Sequence, residues 1–278
     1  AEFDSGTDNV RSFDSDGFTL GTGGQVNENS QTYVSWNWLA NGTGSSDSNG
    51  SITSTVSANT TAGFSIVSFT GTGANATVGH GLGVVPQVII TKSRVNVENW
   101  GFYFEDLGNT RQLELNNGVD VTGSAAAYYN NTSPTSSVFT VGTADSTNDN
   151  QNMIAYCFTN IKGFSKFGSF VGNGNSDGPF IHTGFLPALI IGKNASRDDD
   201  WFMLDNKRDT FNPVDERLQP NSNGAESTVT SLGIDFCANG FKLRGATNQY
   251  NASGETMIYM AFAESPLVNS NGIPNNAR

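Results

Sequence analysis

The chain says one long sentence twice, and a repeat constrains architecture before any local reading does. Gly63–Asp106 reads GFSIVSFTGTGANATVGHGLGVVPQVIITKSRVNVENWGFYFED, and from Gly163 the sequence reads GFSKFGSFVGNGNSDGPFIHTGFLPALIIGKNASRDDDWFMLDN. Phe69 and Phe170, Gly73 and Gly174, Pro86 and Pro187, Lys92 and Lys193, and Trp100 and Trp201 each lie 101 residues apart, while His80 and His182 lie 102 apart. A closing unit recurs as well. Val138–Val141 leads through a polar loop to Met153–Phe158, and Gly240–Leu243 leads through another to Met257–Phe262. Phe18 and Leu20, followed by Val34, Trp36 and Trp38, look like a third version, and each version reads as a hairpin with alternating apolar residues. The simplest organisation is two full repeats preceded by the end of an earlier one. That gives a partial repeat at 1–42, a Gly/Ser/Thr/Asn-rich linker at 43–62 with a short strand at best, repeats at 63–160 and 161–266, and a tail at 267–278.

Within the first repeat the strand candidates are Phe64–Phe69, Thr77–His80, Gln87–Lys92, Trp100–Glu105, Gln112–Leu115, Val138–Val141 and Asn152–Phe158. They are short, rich in Val, Ile, Phe and Tyr, and separated by Gly, Asn, Ser and Pro. No 12-residue window shows helical periodicity. The expectation is an all-β chain of two tandem antiparallel β-sandwiches related by internal duplication. PQVII and PALII are apolar on both faces, which predicts central strands covered on each side, with Pro at the strand start. The junction Thr159–Lys166 has no long linker, so the two sandwiches should abut. Cys157 and Cys237 read as two small buried thiols rather than a disulfide.

Composition then removes classes of function. Only 14% of residues are charged, and the net charge is −12. Such a surface is polar but mostly uncharged, and it opposes binding to nucleic-acid phosphates or anionic lipid. No stretch approaches the ~18 apolar residues of a membrane-spanning helix. The chain opens AEFDSGTDN, without Met or a signal peptide pattern, as a processed product or part of a longer polypeptide would. There is no GxSxG, no Walker loop and no His/Cys cluster with zinc spacing, so no catalytic residue is assigned. The Gly-rich TGTGAN and VGNGNS are turns, since no helix follows them.

Candidate binding residues lie in and beside the polar loops that differ between the repeats. Arg94, Asn96 and Asn99 belong to the first loop, and Arg197, Asp198, Asp199 and Asp200 to the second. His80 and His182, at matching places, are either ligand contacts or imidazoles that fix a turn through a backbone carbonyl. Trp100 and Trp201 precede apolar strands and read as core rather than as sugar-stacking platforms. Asp198–Asp200, with Asp205, is the densest acidic group and the candidate for oxygen ligands to calcium; the spacing fits no EF-hand loop, and no cofactor is expected. Glu105 and Asp205 raise a two-carboxylate glycosidase only as a remote alternative.

The GFSIVSFTGTGANATVGHGLGVVPQVIITKSR segment, the Trp after it and the closing MIYMAFAESP together resemble uncharacterised repeat domains in structural proteins of tailed bacteriophages, especially marine ones. HGLGVVP and AFAESP carry most of that resemblance; the second repeat departs from it, with HTGFLP for HGLGVVP. A looser likeness is to the H-type lectin sandwich, which binds sugars as a trimer. The resemblance implies a virion-surface protein of a fibre, tail or capsid appendage, with other virion proteins as partners, a homo-oligomeric state with a trimer as one candidate form, and host-surface glycan as ligand. A purely structural decoration or connector role is the alternative, and a glycan depolymerase the second alternative.

Overall fold

The computed structural model describes residues 8–120, 122–123 and 126–264; the tail at 267–278 lies outside these. The strands are β1 (Val10–Phe13), β2 (Phe18–Leu20), β3 (Ser45–Asp47), β4 (Ser54–Asn59), β5 (Phe64–Thr70), β6 (Ala76–Gly79), β7 (Val88–Ser93), β8 (Gly101–Phe104), β9 (Arg111–Glu114), β10 (Thr122–Gly123), β11 (Val138–Val141) and β12 (Asn152–Phe158). They continue with β13 (Ser165–Val171), β14 (Phe180–His182), β15 (Pro187–Asn194), β16 (Phe202–Asp205), β17 (Glu216–Arg217), β18 (Ser227–Thr228), β19 (Ile234–Cys237), β20 (Gly240–Leu243) and β21 (Thr256–Ala263). Helix is confined, among the described residues, to single turns: α1 (Gly24–Asn27), α2 (Ala126–Tyr129), α3 (Asp145–Asn148) and α4 (Asn248–Asn251).

The strands build four stacked β layers. An eight-stranded sheet, ordered β10-β9-β8-β7-β12-β5-β4-β3, packs one face on the β11–β6 pair. A four-stranded sheet, β13-β21-β15-β16, packs one face on the β14-β20-β19 sheet. The remaining faces of the two large sheets meet each other. The order β5-β12-β7-β8 in the first half is matched by β13-β21-β15-β16 in the second.

Period-two alternation produces this stack, because each strand supplies two cores. In β12, Met153, Ala155 and Cys157 enter the first-half core, while Tyr156 and Phe158 face the layer between halves. In β21, Tyr259 and Ala261 enter the second-half core, while Ile258, Met260 and Phe262 face the shared layer. Ile89 and Val88 on β7, and Ile190 and Leu189 on β15, divide the same way. Hence the two-sided apolar character of PQVII and PALII. The shared layer holds Phe64, Phe102, Phe104 and Phe158 from one half against Phe167, Trp201 and Phe262 from the other. Each such ring buried stabilises by roughly 1.5–3 kcal/mol.

One buried asparagine holds the Gly-rich turn in each half. Asn148 is fully buried; its side-chain amide donates to the carbonyls of Ala74 (2.6 Å) and Gly142 (2.7 Å), and its Oδ1 accepts from Thr72 N–H. Asn251 does the same with Asn175 O, Gly245 O and Asn173 N–H. The glycines around these bonds serve two ends. Gly73 and Gly174 have φ of 63° and 65°, which favours glycine, whereas a Cβ on Gly71 would sit 1.8 Å from Asp149 O.

Three expectations about the connections are corrected. Val138–Val141 and Asn152–Phe158 do not pair as a hairpin: β11 pairs with β6, and β12 with β5 and β7, so the chain arches from one layer to the next through α3. β20 and β21 are likewise in different sheets. At the start of the chain, β2 pairs with β1 across the Asp14–Gly17 turn rather than with Val34–Trp38. Those residues form no strand, because Trp36 and Trp38 pack on the shared layer; the Trp38 ring meets Phe262 edge-on at 5.2 Å. The segment at 43–62 contributes β3 and β4, and Val56 enters the first-half core. Both cysteines are free; Cys157 is buried and Cys237 partly exposed.

Replacing Trp201 by alanine should cost about 3–5 kcal/mol. Because its ring packs on Phe102 at 4.7 Å across the shared layer, hydrogen exchange should accelerate in β8 as well as in β15 and β16. Acceleration confined to the second half would contradict a jointly stabilised layer.

Candidate functional site

The candidate residues fall at four places: two loops, a buried turn at His80 and an exposed strand end at His182. The loops are 93–100 after β7 and 194–200 after β15, and both are held by the same devices. Lys92 Nζ donates to Asn96 O (3.1 Å) and Lys193 Nζ to the matching Arg197 O (3.3 Å). A carboxylate from beyond α3 or α4 then grips each loop. Asp149 accepts from Ser93 Oγ (3.0 Å) and Asn96 Nδ2 (2.6 Å), and Glu255 accepts from Asn194 Nδ2 (2.6 Å) and Arg197 Nε (2.7 Å). These bonds hold the Glu255 carboxyl below its ordinary range. At the far end, Asn99 and Asp200 occupy matching positions. Asn116 bonds Asn99 and Trp100 N–H, while Asn221 bonds Asp200 and Trp201 N–H.

The loops differ in what lies over them. The second is tied to the first half, although Asp198 and Asp200 stay exposed. Lys193, fully buried, also donates to Gly118 O (2.9 Å) and Asp199 O (2.7 Å). Asp199 N–H donates to Gly118 O, Asp120 N–H to Asp198 Oδ1, and the Trp201 indole N–H to Glu114 O. Desolvation lowers the Lys193 amine to about 8, against the opposing pull of Asp199, Asp198, Asp120 and Asp200. Asp198 and Asp199 each give one oxygen to a loop N–H, and Asp200 gives both to the Gln219 and Asn221 amides, with the Lys193 ammonium close by. Among the described residues no three His, Cys, Asp or Glu side chains are placed to hold a metal ion. The first loop faces solvent: Val97 is 87% exposed and Arg94 half-buried. The two tryptophans part accordingly, Trp201 being buried and Trp100 only half-buried.

The histidines also part company. His80 is fully buried, accepts from Leu82 N–H through Nδ1 (3.3 Å) and places Nε2 3.1 Å from Thr135 O. That pair of contacts specifies the neutral Nε2–H tautomer, and burial lowers the imidazole below the ordinary 6.5. His182 lies exposed on β14. His80 fixes a turn; it is not presented to a ligand.

Asp149, Glu255 and the 116–120 loop, which hold the candidate loops, were invisible as a set in the sequence. Their only local signal is a carboxylate shortly before each closing strand, and its register shifts between halves.

The fold thus defines an all-β layered sandwich protein whose loops are braced by side chains from neighbouring strands. The chain belongs to the family described as "Domain of unknown function (DUF7483)", which matches residues 1–266. Neither a comparison with curated proteins nor one with solved structures gives a match.

Two outcomes follow from these contacts. His80 has a folded-state value below its unfolded one, so its contribution is full above pH 6.5 and declines as pH falls toward the lowered folded value. Urea unfolding of the parent should therefore lose more stability between neutral and mildly acid pH than His80→Gln does; equal losses would remove the assignment. Lys193→Met removes a donor from three carbonyls, of which Gly118 O keeps Asp199 N–H, and should cost about 2–3 kcal/mol, with faster amide exchange at 118–120 and 197–200. Unchanged exchange there would show that the lysine does not hold the seam.

Proposed function

We propose that this chain is a non-catalytic structural protein of the virion surface of a tailed bacteriophage, displayed on a fibre, tail or capsid appendage, and that its exposed loops contact host-surface glycan. The observation that carries this reading is the bracing of the 93–100 loop. Lys92, Asp149 and Asn116 brace it, yet it leaves Val95 and Val97 exposed to solvent. Loops held rigidly on a sandwich are where recognition is usually placed. Weak single sites of this kind become effective through many copies, which favours an oligomeric assembly with other virion proteins. The resemblance noted in the sequence supports the phage origin. The matched strand order and the matched Asn148 and Asn251 support duplication as the source of the two halves.

Large perturbations of acidity support a structural rather than a catalytic role. Burial pushes Tyr103 and Cys157 up to about 12, and both lie inside packed layers. The depolymerase reading has less support, because Asp205 is buried and its carboxylate is taken by the Arg208 guanidinium (2.7 Å) and by the Lys207 and Arg208 N–H groups. The connector reading rests on exposed apolar side chains, Leu39 at 80% and Phe13 at 86%, which suit contact with other chains.

Beads carrying many copies of the chain should adsorb to host cells and to their extracted surface polysaccharide, with adsorption reduced at least several-fold by the paired change Val95→Asp and Val97→Asp. Adsorption absent at every density, with those residues buried against other proteins in a map of the intact particle, would favour the connector reading instead.

A further inference from the structure

The second half carries a loop that the first half does not match. Residues 206–214, NKRDTFNPV, connect β16 to the Val214 bridge, whereas the counterpart turn Glu105–Leu107 lies against β13, with Asp106 accepting from Ser169 Oγ at 2.8 Å. The 206–214 loop is fastened on both sides of its tip. Asp205 accepts from Lys207 and Arg208 N–H, and Asp209 Oδ2 accepts from Asp215 N–H at 2.8 Å. Asn212 makes a reciprocal pair with Phe236, donating to its carbonyl (2.9 Å) and accepting from its N–H (2.8 Å). At the tip of so restrained a loop, Phe211 is 82% exposed and belongs to no core. An apolar ring held in water by this many bonds is a preformed platform.

Beside the ring lies a cavity of about 400 Å³. Phe236, Leu186 and Val214 give it apolar lining, while Asn206, Lys207 and Thr210 add polar groups. Asn206 donates its amide to Glu264, and its Oδ1 is buried without a hydrogen-bond partner. A buried acceptor left unpaired is unfavourable, and a ligand donor would relieve that. On the lining Lys207 pairs Glu264 (2.9 Å), so Asp209 leaves it with a small net negative charge that does not favour an anionic ligand, and the unmet acceptor disfavours a purely apolar one. A sugar ring has both an apolar C–H face for Phe211 and hydroxyl donors for Asn206.

We infer that the cavity between the 206–214 loop and β19 is a binding site for a single neutral sugar unit, with Phe211 as the stacking platform and Asn206 Oδ1 as the acceptor for a sugar hydroxyl. This deepens the adhesive reading and rests on it for its biological setting, but it concerns a site separate from the 93–100 loop.

The test is solution NMR of the whole chain titrated with glucose, galactose, mannose and N-acetylglucosamine at millimolar concentrations. At least one should shift the Asn206 side-chain amide and the Phe211 ring signals. Phe211→Ala should weaken that binding roughly ten-fold or more with the unfolding midpoint unchanged, as loss of a central contact does. Asn206→Asp serves as a second variant if Phe211→Ala proves unstable, since it keeps the shape while altering the acceptor and its amide donor. No shift with any of the four sugars, shifts confined to other residues, or binding unaffected by both variants would overturn the site. A proline-rich or aromatic peptide that shifts these residues where no sugar does would overturn it too. Sugar binding here without adsorption of the multivalent beads would keep the site and discard the adhesive reading. Adsorption that survives Phe211→Ala, with no sugar shifts, would do the reverse.

Discussion

The shared apolar layer between the two large sheets is what the rest of the chain depends on. A sandwich of two sheets needs one apolar face per sheet, and the outer faces can stay polar. Here both faces of β7, β12, β15 and β21 are apolar, so neither half can be closed off by itself without exposing Phe102, Phe158, Met260 and Phe262. Face-to-face packing of the halves removes that liability. It also explains the short junction at Thr159–Lys166: Asn160 Oδ1 accepts from Phe167 N–H at 2.7 Å, so the connecting residues are themselves part of the fold. Trp36 and Trp38 then cover part of the same layer, which is why the segment ahead of β3 is drawn onto the stack instead of pairing as a sheet.

Much of this was legible in the sequence, because alternation reports faces directly. The strands from Phe64 to Phe158 fall within a residue or two of their expected places, and the two-sided character of PQVII and PALII pointed to covered central strands. Alternation does not report partners. A strand, a polar loop and a second strand look alike whether the chain turns back within one sheet or arches to the next. The difference lies in Asn148 and Asn251, whose buried amides bind carbonyls on both sides of the arch, and a single Asn in a polar loop gives no sign of that. β4 was underestimated for a related reason. STVSAN carries only one large apolar residue, and it is a strand chiefly because β5 offers it an edge to pair with.

Site residues were less legible than strands, for a physical reason. Conspicuous residues are the charged ones, and in this chain most of them are consumed in holding loops. Arg197 is spent on Glu255, Asp198 on Asp120 N–H, Asp200 on Gln219 and Asn221, and His80 on the Thr135 turn. Phe211 drew no attention as a sequence element, since one phenylalanine among polar residues looks like an ordinary core residue until its exposure is known.

The two braced loops show how one local design can take two roles. Lys92 and Lys193 each bond the carbonyl four residues on, and Asp149 and Glu255 each grip the side chains between. These contacts fix the backbone and leave the outward side chains free to differ. In the second half the corresponding stretch is Asp198–Asp200, of which Asp198 and Asp199 bond the 118–120 loop, so that loop helps to join the halves. In the first half the corresponding positions include Asn99, whose amide is taken by Glu114 and Asn116, and Val97, which lies exposed. The same brace therefore carries a polar contact between the halves in one copy and an exposed apolar side chain in the other.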